Sequence, residues 1–432
     1  MINILTNFQS PRLTYVSDTI FKKWLKLDYR FVSSADNVSQ DSCLITYGNH
    51  SVEGSINIYC EGLLSESVLR DELPQVFVSE EIPLIFEASN AKGFELSYDL
   101  FSAVFFCLSR YEEYVNTNRD EHGRFKAEDS IFHEYNRIPY VDKWVHSLQN
   151  LLEKKLPGYK NPRSLRWLST MDMDIAFAFK GRSLTRKIGA TGKDILGLKV
   201  DRLQERISVL SDQSADPYDT YELFLRDDGA DTKRLFVPVG DRSRFDNNLS
   251  VTNSFIKQHI SALGKKVSIG LHPSYQSLGN TEVIRKEKER LELTSGLNIT
   301  YSRQHFLRFT LPDTYIQLES LGMEKDFSMG FHDEIGFRSG TAFDHCFYDL
   351  LNDTPLTIEI VPLIAMDSAM KNYMKLSTKE ALKAIEQLLT GMKKTGGIFT
   401  TVWHNHSLSD TEDWKGWRSV YLSTSNMVRS HR

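Results

Sequence analysis

The chain has 432 residues, 41% hydrophobic and 25% charged, close to an average soluble globular protein and long enough for two or three domains with a core in each. A formal net charge of −5 gives no electrostatic case for nucleic acid, which usually demands a basic face, and no long apolar run offers a membrane span. Four scattered cysteines without a C-x-x-C pair fit reduced, mostly buried thiols and a cytoplasmic protein, and the first residues lack the basic start and apolar core of a secretory signal.

A short strand is expected at 2–5, then a helix at 18–27 with Ile20, Phe21, Trp24 and Leu25 at helical spacing. Further strands are expected at 44–47, 56–60, 75–78 and 84–87, and the most apolar helix of this half at 97–115. Residues 116–130, charged and carrying Gly123, read as a surface excursion. Trp144, Val145, Leu148, Leu151 and Leu152 give one apolar side to a helix at 141–156. The cluster Pro157-Gly158-Tyr159-Lys160-Asn161-Pro162-Arg163 marks a boundary between an α/β domain at 1–160 and a second unit at 165–432. No pattern sets an oligomeric state.

Seven strand-like runs follow, at 165–171, 234–239, 267–271, 298–302, 326–329, 356–361 and 398–403. Helix-like segments fill most of the gaps, at about 202–210, 251–263, 281–293, 314–321 and 378–393. Such alternation implies parallel strands joined by right-handed crossovers. In a parallel barrel the strand C-termini open on one face, where groups remote in sequence converge. Seven strands is one short of a regular barrel, and a basic segment at 181–202 with four glycines replaces the usual short loop after the first. The expected fold is therefore a distorted (β/α)7 barrel preceded by a smaller α/β domain.

Each run ends in a polar group: Asp172 and Asp174, Asp241, His272, Arg303 and His305, His332 and Asp333, Asp367, and His404. In Thr170-Met171-Asp172-Met173-Asp174, period-two alternation points both acids into the barrel mouth. Two close carboxylates are costly without a cation or a shared proton, so one suits a metal and the other a general base; a solvated turn is the alternative. Pro273 fixes where His272 points, and a neutral imidazole suits Zn²⁺, Co²⁺ or Ni²⁺. Arg303 can brace a catalytic carboxylate or bind an anionic substrate group, and His305 can supply a further ligand. Residues 326–340 are dense in glycine, aromatic and polar groups. Phe337, Arg338 and Trp403 are the candidate substrate contacts, since aromatic rings stack on a sugar face. His332 and Asp333 read equally well as ordinary loop residues. His404 suits proton donation to a leaving amine, with His406 left open. No G-x-S-x-G elbow, P-loop or G-x-G-x-x-G is present.

From about residue 165 onward these motifs resemble the polysaccharide deacetylase family (NodB homology domain, carbohydrate esterase family 4). The resemblance implies a metal-dependent amide hydrolase that removes acetyl groups from an N-acetylated sugar, with Asp172 as base and Asp174 on the metal. His272 matches the first of the family's two metal histidines, but Gln276 stands where the second belongs, and His305 is the candidate replacement. Arg303 resembles the arginine that braces the base, and Trp403-His404 the apolar-x-His that carries the acid. Phe236-Val237-Pro238-Val239-Gly240 resembles the family's second-strand signature. The first 150 or so residues resemble an uncharacterised domain fused to such barrels in Bacteroidetes-type bacterial proteins. Zn²⁺ is the first expectation for the metal, Co²⁺ or Ni²⁺ the alternatives. Cleavage of another small amide, and a catalytically silent barrel that binds glycan, are the competing readings.

Overall fold

Four short apolar runs near the N-terminus form a parallel sheet in this computed structural model, which describes residues 1–38, 42–88, 92–181, 197, 200–226 and 229–432. The strands β1 (Ile2–Leu5), β2 (Tyr29–Val32), β3 (Cys43–Gly48) and β4 (Ile56–Tyr59) lie in the order β2-β1-β3-β4. A small antiparallel hairpin, β5 (Phe77–Ser79) and β6 (Ile82–Leu84), follows. β2 is absent from the sequence reading because it is an edge strand with partly exposed side chains and no clear alternation. The single helix expected at 97–115 breaks into Leu100–Leu108 and Glu112–Val115. Arg110 adopts a left-handed φ of 54° at the break, and its buried guanidinium pairs with Glu112 and Glu113.

The second half builds a nine-stranded sheet. Its strands are β7 (Leu165–Asp172), β8 (Thr232–Val237), β9 (Ser268–Leu271), β10 (Tyr301–Ser302), β11 (Lys325–Asp326), β12 (His345–Asp349), β13 (Thr354–Ile360), β14 (Ala365–Met366) and β15 (Gly397–His404). They run in the order β12-β13-β11-β10-β9-β8-β7-β15-β14, parallel throughout except for the pair β12–β13. All seven expected runs are present, and the helices Ser254–Gly264, Thr281–Ser295, Asp313–Ser320 and Thr378–Met392 bury apolar faces against the sheet. The basic segment at 181–202 lies mostly outside the described residues, and its end forms the start of helix Val200–Leu210.

The sheet curls on itself. Leu168 of β7, Phe236 of β8 and Val361, just past β13, share one buried cluster with Tyr301 and Ile398 packed against it. The strand ladder nevertheless does not run full circle among the described residues. Between β13 and β14 the chain crosses from one edge to the other: the Val361 N–H donates to Asp326 O, Leu363 N–H to Met329 O and Ile364 N–H to Thr400 O. Pro362, within that crossing, has no N–H to offer a ladder.

The two halves share a buried seam. Phe343, Tyr348 and Leu350, on and beside the unexpected strand β12, join the core of the N-terminal unit. Asp142 accepts from Thr341 Oγ1 and the Ala342 N–H, and Glu113 binds Arg338 through both carboxylate oxygens. No helix among the described residues is long and apolar enough to cross a membrane. All four cysteines are free.

Candidate metal centre

β7 and β15 pair in register, Asp172 against His404, so the first and last expected strands deliver their polar ends side by side. Asp174 follows two residues on, with its side chain 22% exposed, and forms the centre of the cluster. His272, directly after β9, holds its Nδ1 2.6 Å from Arg303 O. A carbonyl only accepts, so Nδ1 carries a hydrogen, and Nε2 is turned toward Asp174 Oδ1 at 3.3 Å. His305 repeats the pattern: Nδ1 lies 2.9 Å from Asp246 Oδ1 and Nε2 lies 3.7 Å from Asp174 Oδ2.

One ligand atom each from Asp174, His272 and His305 lies within 4.8 Å of the others. Asp174 Oδ1 is a buried oxygen with no hydrogen-bond partner. Two imidazole nitrogens this close to one carboxylate are held there by shared protons or by a cation. Two imidazoles whose far nitrogens are fixed by a carbonyl and a carboxylate, plus one carboxylate, form a donor set that fits a divalent transition metal. The electrostatics agree. Burial pushes the Asp174 carboxyl up, but the charges of His305 and His404 and the nearby His272 ring outweigh it and hold it well below the usual range. Burial pushes His305 down, yet Asp174 and Asp246 raise it to about 9. This carboxylate attracts positive charge that a metal ion supplies equally well.

Two supported pairs flank the set. Arg303, fully buried after β10, donates from Nη1 to Asp172 Oδ1 (2.7 Å) and Thr170 Oγ1 (2.8 Å), and its guanidinium lies 4.2 Å over the Phe236 ring. Of its two expected roles, bracing Asp172 is the one its burial permits. On the other side, His404 Nδ1 lies 2.7 Å from Asp367 Oδ1, and its backbone N–H donates to Asp367 Oδ2. Its Nε2 is 3.5 Å from Asp174 Oδ2. Burial opposes the His404 charge, but Asp367 and Asp174 raise its pKa to about 10. The neighbouring His406 is pushed down to about 4 by burial and by His404. Asp172, Asp174, His272, His305, His404 and His406 line a cavity of about 230 Å³.

The three expected substrate contacts are elsewhere. Trp403 is 1% exposed and packs on Tyr421, because the residue before an inward-facing His404 must face outward on a strand. Phe337 is fully buried in the core. Arg338 is spent on Glu113 and on Gly330 O. None of the three lines the cavity. Asp241 also stands apart, exposed and paired with Arg290, whereas Asp246, which sequence reading misses, is the acid that holds His305. Gln276 is exposed on the short turn Tyr275–Ser277. His332 lines the cavity, and Asp333 caps the Ala127 N–H. Residues 116–130 are no free excursion, since Arg124 and Phe125 are buried and Arg124 reaches the cavity wall.

Residues 2–157 match the model of a family described as a family of unknown function (DUF7033). No protein of curated function matches the chain. Among solved structures, a provisionally assigned polysaccharide deacetylase from Mycobacterium smegmatis aligns over 61% of this chain and 84% of its own, at 12% identity and a TM-score of 0.39. A likeness that low carries no chemistry by itself, so the residues above must.

Proposed function

We propose that this chain is a metal-dependent hydrolase that removes acetyl groups from an N-acetylated sugar, using a distorted (β/α)7 barrel at 165–432 preceded by an α/β domain at 1–160. The observation that carries the reading is the Asp174–His272–His305 set with its unpartnered carboxylate oxygen, flanked by an Arg303-braced Asp172 and an Asp367-braced His404. A divalent metal held by those three residues, Zn²⁺ with Co²⁺ or Ni²⁺ as alternatives, would supply Lewis acidity toward the acetyl carbonyl and make water more acidic.

The remaining work falls to the protein's own groups. Arg303 holds Asp172 Oδ1, leaving Oδ2, 3.9 Å from His272 Nε2, to take a proton from the attacking water. Water oxygen bonds to the acetyl carbon, and the C–N bond then breaks with its electron pair passing to nitrogen. His404, kept protonated by Asp367, gives its Nε2 proton to that nitrogen. Acetate and the free amine leave. Asp172 and His404 end neighbouring strands, so they can flank one carbonyl from two sides.

Metal analysis of protein purified without chelator, together with acetate release from N-acetylated sugars, tests this. The expected result is about one metal per chain and acetate release abolished by chelation. A metal-free protein that binds the sugar and releases no acetate would instead be the silent glycan binder. Bound metal with no acetate release from any sugar would point to another small amide.

A further inference from the structure

The cavity is narrow because the N-terminal unit helps to build it. Residues Asp120 to Arg124 form a turn in which Gly123 has φ 77° and the Arg124 N–H and Nε both donate to Asp120. The turn is tied down at His122, whose carbonyl accepts from Arg308 Nε at 2.7 Å. The His122 ring lies 5.5 to 5.7 Å from the rings of Phe245, Tyr275 and Phe306. From this anchored turn Arg124 reaches across the barrel mouth. Its Nη1 donates to Phe306 O (3.2 Å) and its Nη2 to Tyr373 Oη (3.4 Å), linking the loop after β10 to the segment after β14. Arg124 is 5% exposed, so the bridge is a packed part of the wall rather than a loose cover.

What lies beneath is small, about 230 Å³, below the roughly 300–1,000 Å³ of pockets for drug-sized ligands. Its wall is largely polar, with Gln304, His332, Ser368 and Asn372 beside the candidate metal ligands. A compact ligand bearing hydroxyl and carbonyl groups suits such a wall, and an alkyl chain does not. Resting on the hydrolase reading, we propose that the site accepts one small N-acetylated unit, a free sugar or a chain end, and excludes the interior of a polymer. An internal sugar would have to leave the cavity in two directions, and Arg124, bonded to both Phe306 and Tyr373, occupies one of them.

The test uses the full-length metal-loaded protein with N-acetylglucosamine, its dimer and its pentamer. Acetate release is mapped to each sugar position, and binding of the same series is followed by saturation-transfer NMR. Terminal acetyl groups should leave about tenfold or more faster than internal ones, the usual worth of one steric mismatch. Arg124→Ala should raise the internal-to-terminal ratio several-fold, a change that simple destabilisation, lowering both rates together, does not produce. Tyr373→Ala is the second variant, since Tyr373 is 45% exposed and its loss widens the cavity without opening the core. Internal groups of the pentamer leaving as fast as terminal ones in the wild type would overturn the inference. Acetate release from no member defeats the hydrolase reading alone, because the binding series still decides the size limit. Binding by no member overturns both.

Discussion

The proposed site depends on Asp246 through His305. Its Oδ1 accepts from His305 Nδ1 and from the Tyr275 N–H, both at 2.9 Å, and its Oδ2 accepts from the Ser243 hydroxyl. In Asp246→Asn the amide oxygen can replace Oδ1 and keep both donors. The amide nitrogen then faces the Ser243 hydroxyl, which already accepts the Phe245 and Asp246 N–H groups, so that one hydrogen bond is given up. Shape and tautomer survive at His305, and what changes there is the loss of the negative charge behind the imidazole. Removing such support from a ligating histidine typically costs 10–100-fold in metal affinity, or about 1.4–2.7 kcal/mol. Competition of Zn²⁺ between the protein and a chromogenic chelator measures this, with His305→Ala marking complete loss of the ligand. An affinity unchanged in Asp246→Asn would refute the argument that His305 binds through an Nε2 whose basicity Asp246 sets.

Asp174→Asn and His272→Ala should each strip most of the metal, read by elemental analysis; full occupancy in both would remove the site as drawn. Asp172→Asn and His404→Ala should each lower turnover by roughly 10²–10⁴-fold while metal is retained, and loss of metal in Asp172→Asn would show that the two acids share the ligand role. The seam between the halves makes an acid-stability prediction. Burial pushes the Glu113 carboxyl up, but Arg338 and Arg110 outweigh it and lower its pKa from an ordinary value near 4.5 to about 2. Glu113 therefore stabilises the fold above about pH 4.5, and that contribution, about 3 kcal/mol, disappears as pH falls toward 2. Chemical denaturation at pH 6 and pH 3 should show a smaller loss in Glu113→Gln than in the wild type, and equal losses would exclude Glu113 as the cause.

The local pattern of the sequence determines which segments become strands and which polar groups sit at their ends. Hydrophobic periodicity is a property of neighbours in the chain, so all seven runs, and the convergence of Asp174, His272 and His305, follow from it together with the rule that parallel strands open on one face. The outward direction of Trp403 is equally implied, because alternation forbids adjacent strand residues from sharing a face. Tertiary structure alone decides the partnerships. Arg303 meets Asp172 across 131 residues of sequence, and Asp246 reaches His305 across 59 from an irregular segment that no period marks. Phe337 and Arg338 look like site residues because glycine and aromatic density reads alike in a binding loop and in a packed seam. Phe337 is buried because it joins the core beneath the nine-stranded sheet, and Arg338 because it pairs with Glu113 from the first half of the chain. Arg124 reaches the cavity because a charged turn reads as solvated until segments remote in sequence, here those of Phe306 and Tyr373, are packed against it.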